Sequence, residues 1–203
     1  MLKSFLCFDV SSTTIGISSF NFDTETKSIK DIVLEFYKPP HENNEFATLD
    51  KVYNEISAII IEKSLLLKQK GELNVVIEEA PMFMTGGGSS AAVIRILAVF
   101  TRIVGLAVYK NANVEPKLYP VATIRASLRK LAKIEEKIKK EDVPGVIETI
   151  LRKTGNNDWV FPYIKKEAKG KRKLKKEFED ETYDMADALA VGLTALFKNG
   201  DIV

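Results

Sequence analysis

Three β-forming segments follow one another at the start of the chain, with only short turns between them. We predict strands over 4–10, 14–21 and 29–37. The turn at Ser11-Ser12-Thr13 joins the first two strands, and Pro39-Pro40 ends the third. Such short connections cannot carry the crossover that a parallel pair needs, so the three strands form an antiparallel meander.

Helical and strand patterns alternate through the rest of the chain. Helices are predicted over 45–68, 90–110, 121–131, 140–153 and 182–197, and further strands over 73–77 and 114–119. The strand over 73–77 is a continuous apolar run, of the kind that is buried on both faces of a sheet. This order of elements is an α/β arrangement. We interpret it as a ribonuclease H-like fold, with a mixed five-stranded sheet (three antiparallel strands, then two parallel) flanked by helices.

Charge is distributed unevenly along the 203 residues, a length that suits a single domain. The formal net charge is +2, yet the window 165–176 alone carries +7 and leaves −5 on the rest. We predict one domain over 1–203, with a basic loop or insertion at about 160–181. A loose basic segment gains affinity for phosphates by counterion release, so we interpret the run as phosphate-contacting. The alternative is a solvated lysine-rich loop.

The scarcity of Cys and His restricts the possible chemistry. One cysteine, Cys7, excludes an internal disulfide framework and a cysteine-rich zinc module. One histidine, His41, argues against zinc sites and catalysis that need a histidine pair. The apolar run at 5–8 is too short for a signal peptide, so we expect a cytoplasmic protein with carboxylate-based chemistry.

The longest apolar stretch covers 91–108 and contains two arginines, Arg95 and Arg102. Two arginines in the middle of a segment argue against a membrane span. We therefore interpret this stretch as a helix that is apolar nearly all round. Such a helix is buried either in the core or at a subunit interface.

Four acidic residues stand at positions where acids are unusual. Asp9 lies at the end of the first strand and Glu78 at the end of the fourth. Asp184 and Asp187 lie three residues apart, on one face of the last helix. In this type of sheet the first and fourth strands are neighbours, so we expect Asp9 and Glu78 to lie close together. Burying unpaired carboxylates is unfavourable, which makes this set hard to explain by structure alone.

Four carboxylates in one cleft repel one another and raise some of their pKa values unless cations are bound. Oxygen ligands without His or Cys favour Mg²⁺ or Mn²⁺. Two such ions about 3.5–4 Å apart can activate water and stabilise a leaving oxygen in phosphodiester hydrolysis. The four acids are therefore the predicted catalytic and metal-binding residues, with two Mg²⁺ ions that Mn²⁺ can replace. Singly, each acid could instead cap a turn, pair with an arginine or favour a helix start.

These motifs resemble those of the RuvC family of Holliday junction resolvases, over most of the chain. The first motif is matched by Asp9 with Gly16 seven residues later, and the second by Glu78 at the end of an apolar strand. The third, Asp-x-x-Asp-Ala-Leu-Ala, is matched over 184–190. The resemblance implies a metal-dependent endonuclease that resolves four-way DNA junctions by paired cuts, acting as a homodimer. The apolar helix over 91–108 is the candidate for the dimer interface.

Weaker similarities suggest DNA contacts. The family's segment after the fifth strand carries a basic residue, here Arg125, and a later family lysine corresponds to Lys140. Further candidates in the basic run are Lys171, Arg172 and Lys173. Met82 or Phe83 could act as an apolar wedge at the branch point, or form a lid over the core.

The sequence also departs from the family pattern. Asp9-Val10-Ser11 replaces the usual Asp-Pro-Gly, and Glu79 stands where glutamine is common. The basic insertion resembles viral and phage members, which often accept several branched DNAs. Other possibilities are a debranching nuclease, a ribonuclease H and a non-catalytic junction-binding protein. The segment 9–16 also resembles the phosphate loop of actin-like ATPases and sugar kinases.

Overall fold

The computed structural model describes residues 1–81, 91–166 and 178–203. Its centre is a five-stranded sheet in the order β3-β2-β1-β4-β5. The strands are β1 (Leu2–Val10), β2 (Ile15–Asp23), β3 (Ser28–Tyr37), β4 (Glu72–Glu79) and β5 (Lys117–Pro120). The first three pair antiparallel, whereas β4 is parallel to β1 and β5 is parallel to β4. The predicted mixed sheet is therefore confirmed.

Helices cover both faces of the sheet. They are α1 (Glu45–Lys70), α2 (Ala91–Ala112), α3 (Val121–Ala132), α4 (Val143–Lys153) and α5 (Asp180–Lys198). Successive side chains of β1 point to opposite faces of the sheet, as in any β-strand. Phe5 and Cys7 belong to the core under α3, α4 and α5, whereas Leu6 and Phe8 belong to the core under α1 and α2. The molecule is thus a three-layer α/β/α arrangement.

Most predicted boundaries lie within three residues of those in the structure, and two differences have a clear physical reason. β5 begins at Lys117 rather than at 114, because Asn113 takes a left-handed conformation (φ 50°) and Pro116 has no N–H to donate. The helix predicted over 140–153 is divided into a 3₁₀ turn (Lys140–Asp142) and α4. Pro144 lies in the first turn of α4, where its missing N–H leaves no hydrogen bond unmade.

Helix α2 is only partly buried within this chain, so it is not a core helix on all sides, and burial at a subunit interface stays a prediction. Its inner face carries Phe100, Val104 and Val108, all buried, whereas Leu106 and Tyr109 are exposed. In the part of the chain that the structure describes, α2 is one helix with the length and composition of a membrane span. Only 28% of its apolar window is buried in the protein. Core helices of soluble proteins can have the same length and apolar composition, so these two features alone do not indicate a membrane span.

Helix α5 lies directly on the sheet because two glycines leave room for it. In the hairpin of β1 and β2, Gly16 pairs with Asp9, which accounts for their seven-residue spacing. A Cβ added to Gly16 would lie 2.0 Å from the backbone oxygen of Asp184. Within α5, a Cβ on Gly192 would lie 2.5 Å from Phe20. Gly16 therefore sets how closely the backbone of Asp184 approaches the sheet.

Replacing Gly16 with alanine should destabilise the protein by about 1–3 kcal/mol, because the added methyl group must push α5 away from β2. Thermal unfolding of the purified variant measures this effect. The control is Gly145→Ala in α4, where a Cβ meets nothing within 4 Å. The control should unfold at or slightly above the wild-type temperature, since alanine favours a helix. Equal unfolding temperatures for Gly16→Ala and wild type would contradict the close packing.

Candidate active site

Two of the four predicted acids meet at the carboxyl ends of neighbouring strands. β1 and β4 are parallel, and their last paired residues are Phe8 and Ile77. Asp9 and Glu78 come next in each strand, so they lie side by side at the same edge of the sheet. The structure thus brings these two carboxylates together as the sequence predicted.

The other two acids come from α5. Asp184 and Asp187 are 7% and 6% exposed, within a helix that is buried without interruption from Thr182 to Leu196. Together with Asp9 and Glu78 they line a single cleft of about 1620 Å³. Acids from the beginning, the middle and the end of the chain therefore share one site.

The pKa values show that these acids act on one another electrostatically. Burial raises the pKa of Asp9 well above its usual value, and the charges of Glu78, Asp187 and Asp184 raise it further. Burial also raises the pKa of Glu78 to about 8, with a contribution from Asp187. The pKa of Asp187 is raised by burial although Arg125 and Lys140 oppose the shift. The cluster therefore lacks enough positive charge for all its carboxylates to ionise easily.

Two basic side chains partly neutralise the cluster. Arg125 of α3 donates from Nη2 to Oδ1 of Asp187 at 2.8 Å. Lys140 donates from Nζ to Oδ1 of Asp184 at 2.8 Å and lies 3.9 Å from Oδ2 of Asp187. Burial disfavours the charged form of Lys140, but its hydrogen bond to Asp184 and the nearby aspartates raise its pKa. Both residues, predicted as DNA contacts, thus pair with the acids here.

Asp9 and Glu78 are left without such partners. Within residues 1–81, 91–166 and 178–203, neither carboxylate forms an ion pair. The possibility that Glu78 pairs directly with an arginine is therefore not realised. The sheet places both acids against the cleft, whereas the described cations that pair with the cluster, Arg125 and Lys140, contact the helix acids.

The donor set of the cleft fits a hard divalent cation. The side chains of its described lining that could bind a metal are carboxylates, with neither His nor Cys among them. Such a set favours Mg²⁺ or Mn²⁺ over Zn²⁺. As arranged, however, the described residues contain no group of three acids, histidines or cysteines close enough to hold a metal ion. The residues fit the ion by the chemistry of their oxygen donors.

The turn beside Asp9 forms without the glycine that is usual in the RuvC pattern. The hydroxyl of Ser11 donates to the backbone oxygen of Thr14 at 2.7 Å and accepts from the Thr14 N–H at 3.0 Å. The Ser11 N–H also donates to the Thr14 oxygen at 3.2 Å. These bonds close the turn between β1 and β2, so a serine side chain takes the place of a special backbone conformation.

Sequence reasoning missed Lys38, which lines the cleft and pairs with Glu181, and two further basic residues of the cleft, Arg129 and Lys137. The latter two are exposed, and neither has an ion-pair partner among the residues that the structure describes. Arg129 lies four residues after Arg125 in α3, on the same helix face. That spacing is a signal that the sequence offered.

Several predicted residues lie outside the described ranges, namely Met82, Phe83, Lys171, Arg172 and Lys173. The residues that flank the basic run are described. Lys165 and Phe178 form an antiparallel bridge, and the Glu179 N–H donates to the oxygen of Ile164 at 2.8 Å. Lys165 and Phe178, on either side of residues 167–177, are therefore close together near the start of α5.

Comparisons with known proteins identify the fold. No protein-family model matches the sequence, and no curated protein sequence matches it. Among solved structures, Thermus thermophilus RuvC in complex with a Holliday junction substrate is similar, with a TM-score of 0.62 and 16% identity over 98% of this chain and 97% of that one. A second Thermus thermophilus RuvC structure gives 0.58 and 16% identity over 98% of each chain. The chain thus has the ribonuclease H-like fold of RuvC along nearly its whole length, as predicted.

Proposed function

We propose that this protein is a metal-dependent endonuclease that resolves four-way DNA junctions. The observation that carries the proposal is the convergence of Asp9, Glu78, Asp184 and Asp187 on one cleft, in a chain with the whole fold of RuvC. One of the two similar RuvC structures is a complex with a Holliday junction substrate. The acids and the fold together favour phosphodiester hydrolysis on branched DNA over the other possibilities.

The four carboxylates would hold two Mg²⁺ ions, which Mn²⁺ could replace. Bound ions of this kind activate water and stabilise the leaving oxygen of a phosphodiester. The protein contributes the burial that strengthens these interactions and the rigid sheet edge that holds Asp9 and Glu78. His41 lies exposed in the loop before α1, outside the cleft, and is not needed as a base.

Basic residues along the same cleft would hold the DNA backbone. Arg129 and Lys137 are free of carboxylate partners within the described chain, and Arg125 and Lys140 lie at the acids themselves. Contacts from such residues to phosphates position a substrate without reading its bases. We propose that the protein recognises the shape of the branched DNA. These four residues would contact its phosphates.

A dimer would match the symmetry of a four-way junction, because two cuts related by a two-fold axis are needed. The exposed side of α2 is the proposed interface. Its residues border an apolar groove lined by Leu49, Ala98, Val99, Ile103 and Leu106, with Arg95 and Arg102 at its edge. Continuous apolar surface of this kind is typical of subunit contacts.

The variant Asp187→Asn should lose Mg²⁺-dependent cleavage of a synthetic four-way junction while still binding it. The amide keeps the shape of the side chain but removes a charged metal ligand, whereas the phosphate contacts use other residues. Cleavage gels and a binding assay in EDTA measure the two properties separately. Asp158→Asn, at an exposed position outside the cleft, is the matched control and should cleave as wild type does.

Full cleavage by Asp187→Asn would overturn the site. Y-shaped DNA and RNA–DNA hybrid, tested beside the four-way junction, separate a resolvase from a debranching enzyme or a ribonuclease H. A cruciform plasmid tests the dimer in the same experiment, since paired cuts give linear product and independent cuts give nicked circles. ATP hydrolysis without nuclease activity would favour the kinase-like alternative.

The basic run is proposed as an additional phosphate-binding segment. Changing Lys171, Arg172 and Lys173 together to glutamine should weaken binding to every DNA tested, because phosphates are the same in every sequence. The logarithmic salt dependence of binding should flatten by about 0.9 for each phosphate that the variant no longer neutralises. Binding measured over a series of salt concentrations gives this slope. An unchanged slope would show that the run is a solvated loop.

A further inference from the structure

Four of the basic side chains of the cleft fall into two groups, and a fifth, Lys38, pairs with Glu181. Arg129 and Lys137 are exposed and have no carboxylate partner in the described chain. Arg125 and Lys140 contact the acids that would bind metal. Without DNA and metal, the first group is therefore available to bind phosphates, whereas the second group neutralises the acids. The second group occupies the carboxylate oxygens that a divalent cation would need.

We propose that Lys140 is a tethered counter-ion, which neutralises Asp184 and Asp187 in the metal-free protein and is displaced when a divalent cation binds. The inference rests on the proposed metal site and adds a competition between that metal and a side chain of the protein itself. Once displaced, the ammonium group is free to meet a phosphate of the DNA.

The position of Lys140 supports exchange at this point. Its Nζ lies 2.8 Å from Oδ1 of Asp184 and 3.9 Å from Oδ2 of Asp187, so it bridges the two helix acids. Asp184 and Asp187, which would hold the metal, are thus the acids that this lysine already neutralises.

Lys140 is also better able to leave than Arg125. Its side chain is 49% exposed, and it begins a 3₁₀ turn of three residues. The Arg125 side chain is 20% exposed, projects from α3 and has its Nη1 buried. A lysine on a flexible stem can move its charge through several ångströms, whereas a packed guanidinium is held by its surroundings. Arg125 is thus a fixed partner of Asp187, and Lys140 the exchangeable one.

The exchange of Lys140 for a metal predicts two properties that can be measured on the full-length protein without DNA. Removing the ammonium group should leave two aspartates less neutralised, which destabilises the metal-free protein. The same change should strengthen Mg²⁺ binding, because the metal no longer displaces a bound cation and meets a more negative site. A lysine that merely binds DNA would change neither quantity.

The experiment compares wild type with Lys140→Gln and with Lys139→Gln. The control residue Lys139 is exposed, adjacent in sequence and outside the cleft lining, so it loses the same charge without touching the acids. Calorimetric titration with Mg²⁺ should show about fivefold tighter binding for Lys140→Gln and a change below about twofold for Lys139→Gln. In EDTA, Lys140→Gln should unfold about 2–4 °C below wild type, and Mg²⁺ should remove that difference.

A further variant separates charge from general damage to the fold. Lys140→Arg keeps the positive charge and should retain wild-type stability in EDTA. Equal Mg²⁺ affinity of Lys140→Gln, Lys139→Gln and wild type would overturn the counter-ion role while leaving the proposed nuclease intact. Weaker Mg²⁺ binding by Lys140→Gln would overturn it as well, since the lysine would then support the metal. Absence of Mg²⁺ binding by wild type would overturn the metal site and the counter-ion together.

Discussion

The meeting of four carboxyl groups at one edge of the sheet, two buried on α5 and two partly buried at strand ends, is the constraint on which the rest of the structure depends. Asp9 and Glu78 cannot move apart, because β1 and β4 are hydrogen-bonded neighbours. Asp184 and Asp187 cannot withdraw, because α5 is buried against the sheet. Such a cluster requires compensating positive charge. Two cations of the protein supply part of it and bound metal would supply the remainder.

The approach of α5 to the sheet links the fold to this cluster. The hairpin register places Gly16 opposite Asp9, and the missing side chain of Gly16 accommodates the backbone of Asp184. One glycine thus lets an acid from the start of the chain share a cleft with acids near its end. The turn between β1 and β2 must also be tight, and Ser11 closes it through its hydroxyl. The chain therefore closes this turn without the Asp-Pro-Gly sequence.

The convergence of the acids could be predicted from sequence because it follows from strand order. Once β1 and β4 are neighbours, residues at their carboxyl ends must meet, and the i,i+3 spacing of Asp184 and Asp187 places both on one helix face. The single histidine and single cysteine already pointed to oxygen ligands. These inferences depend on element order and local spacing, which a sequence displays directly.

The ion pairs could not be predicted in the same way. Arg125 and Asp187 are 62 residues apart, and Lys140 and Asp184 are 44 apart, so their contacts depend on how α3 and the 3₁₀ turn pack against α5. The partial exposure of α2 could not be predicted from the sequence either, because apolar composition alone does not show which face of a helix packs against the sheet. The boundary of β5 depended on Asn113, whose left-handed conformation no periodicity reveals.

Electrostatic coupling among the four acids, relieved by a divalent cation, is the central claim. The pKa of Glu78 is about 8 in the folded protein against 4.5 ordinarily, so folding is favoured while this carboxyl is protonated. That contribution is fully present below the unfolded value and is lost as the pH rises through the folded one. Glu78→Gln, which keeps a neutral side chain at every pH, should be insensitive to this loss.

The decisive measurement is thermal unfolding of wild type and Glu78→Gln in EDTA, from about pH 4 to about pH 8.5, repeated with Mg²⁺. Coupled acids predict similar unfolding temperatures at the acidic end and a wild-type protein that falls progressively below the variant as the pH rises. Mg²⁺ should restore wild type at the alkaline end, where the carboxylates are ionised. Curves that stay parallel over the whole range, with no effect of Mg²⁺ on wild type, would contradict the coupling.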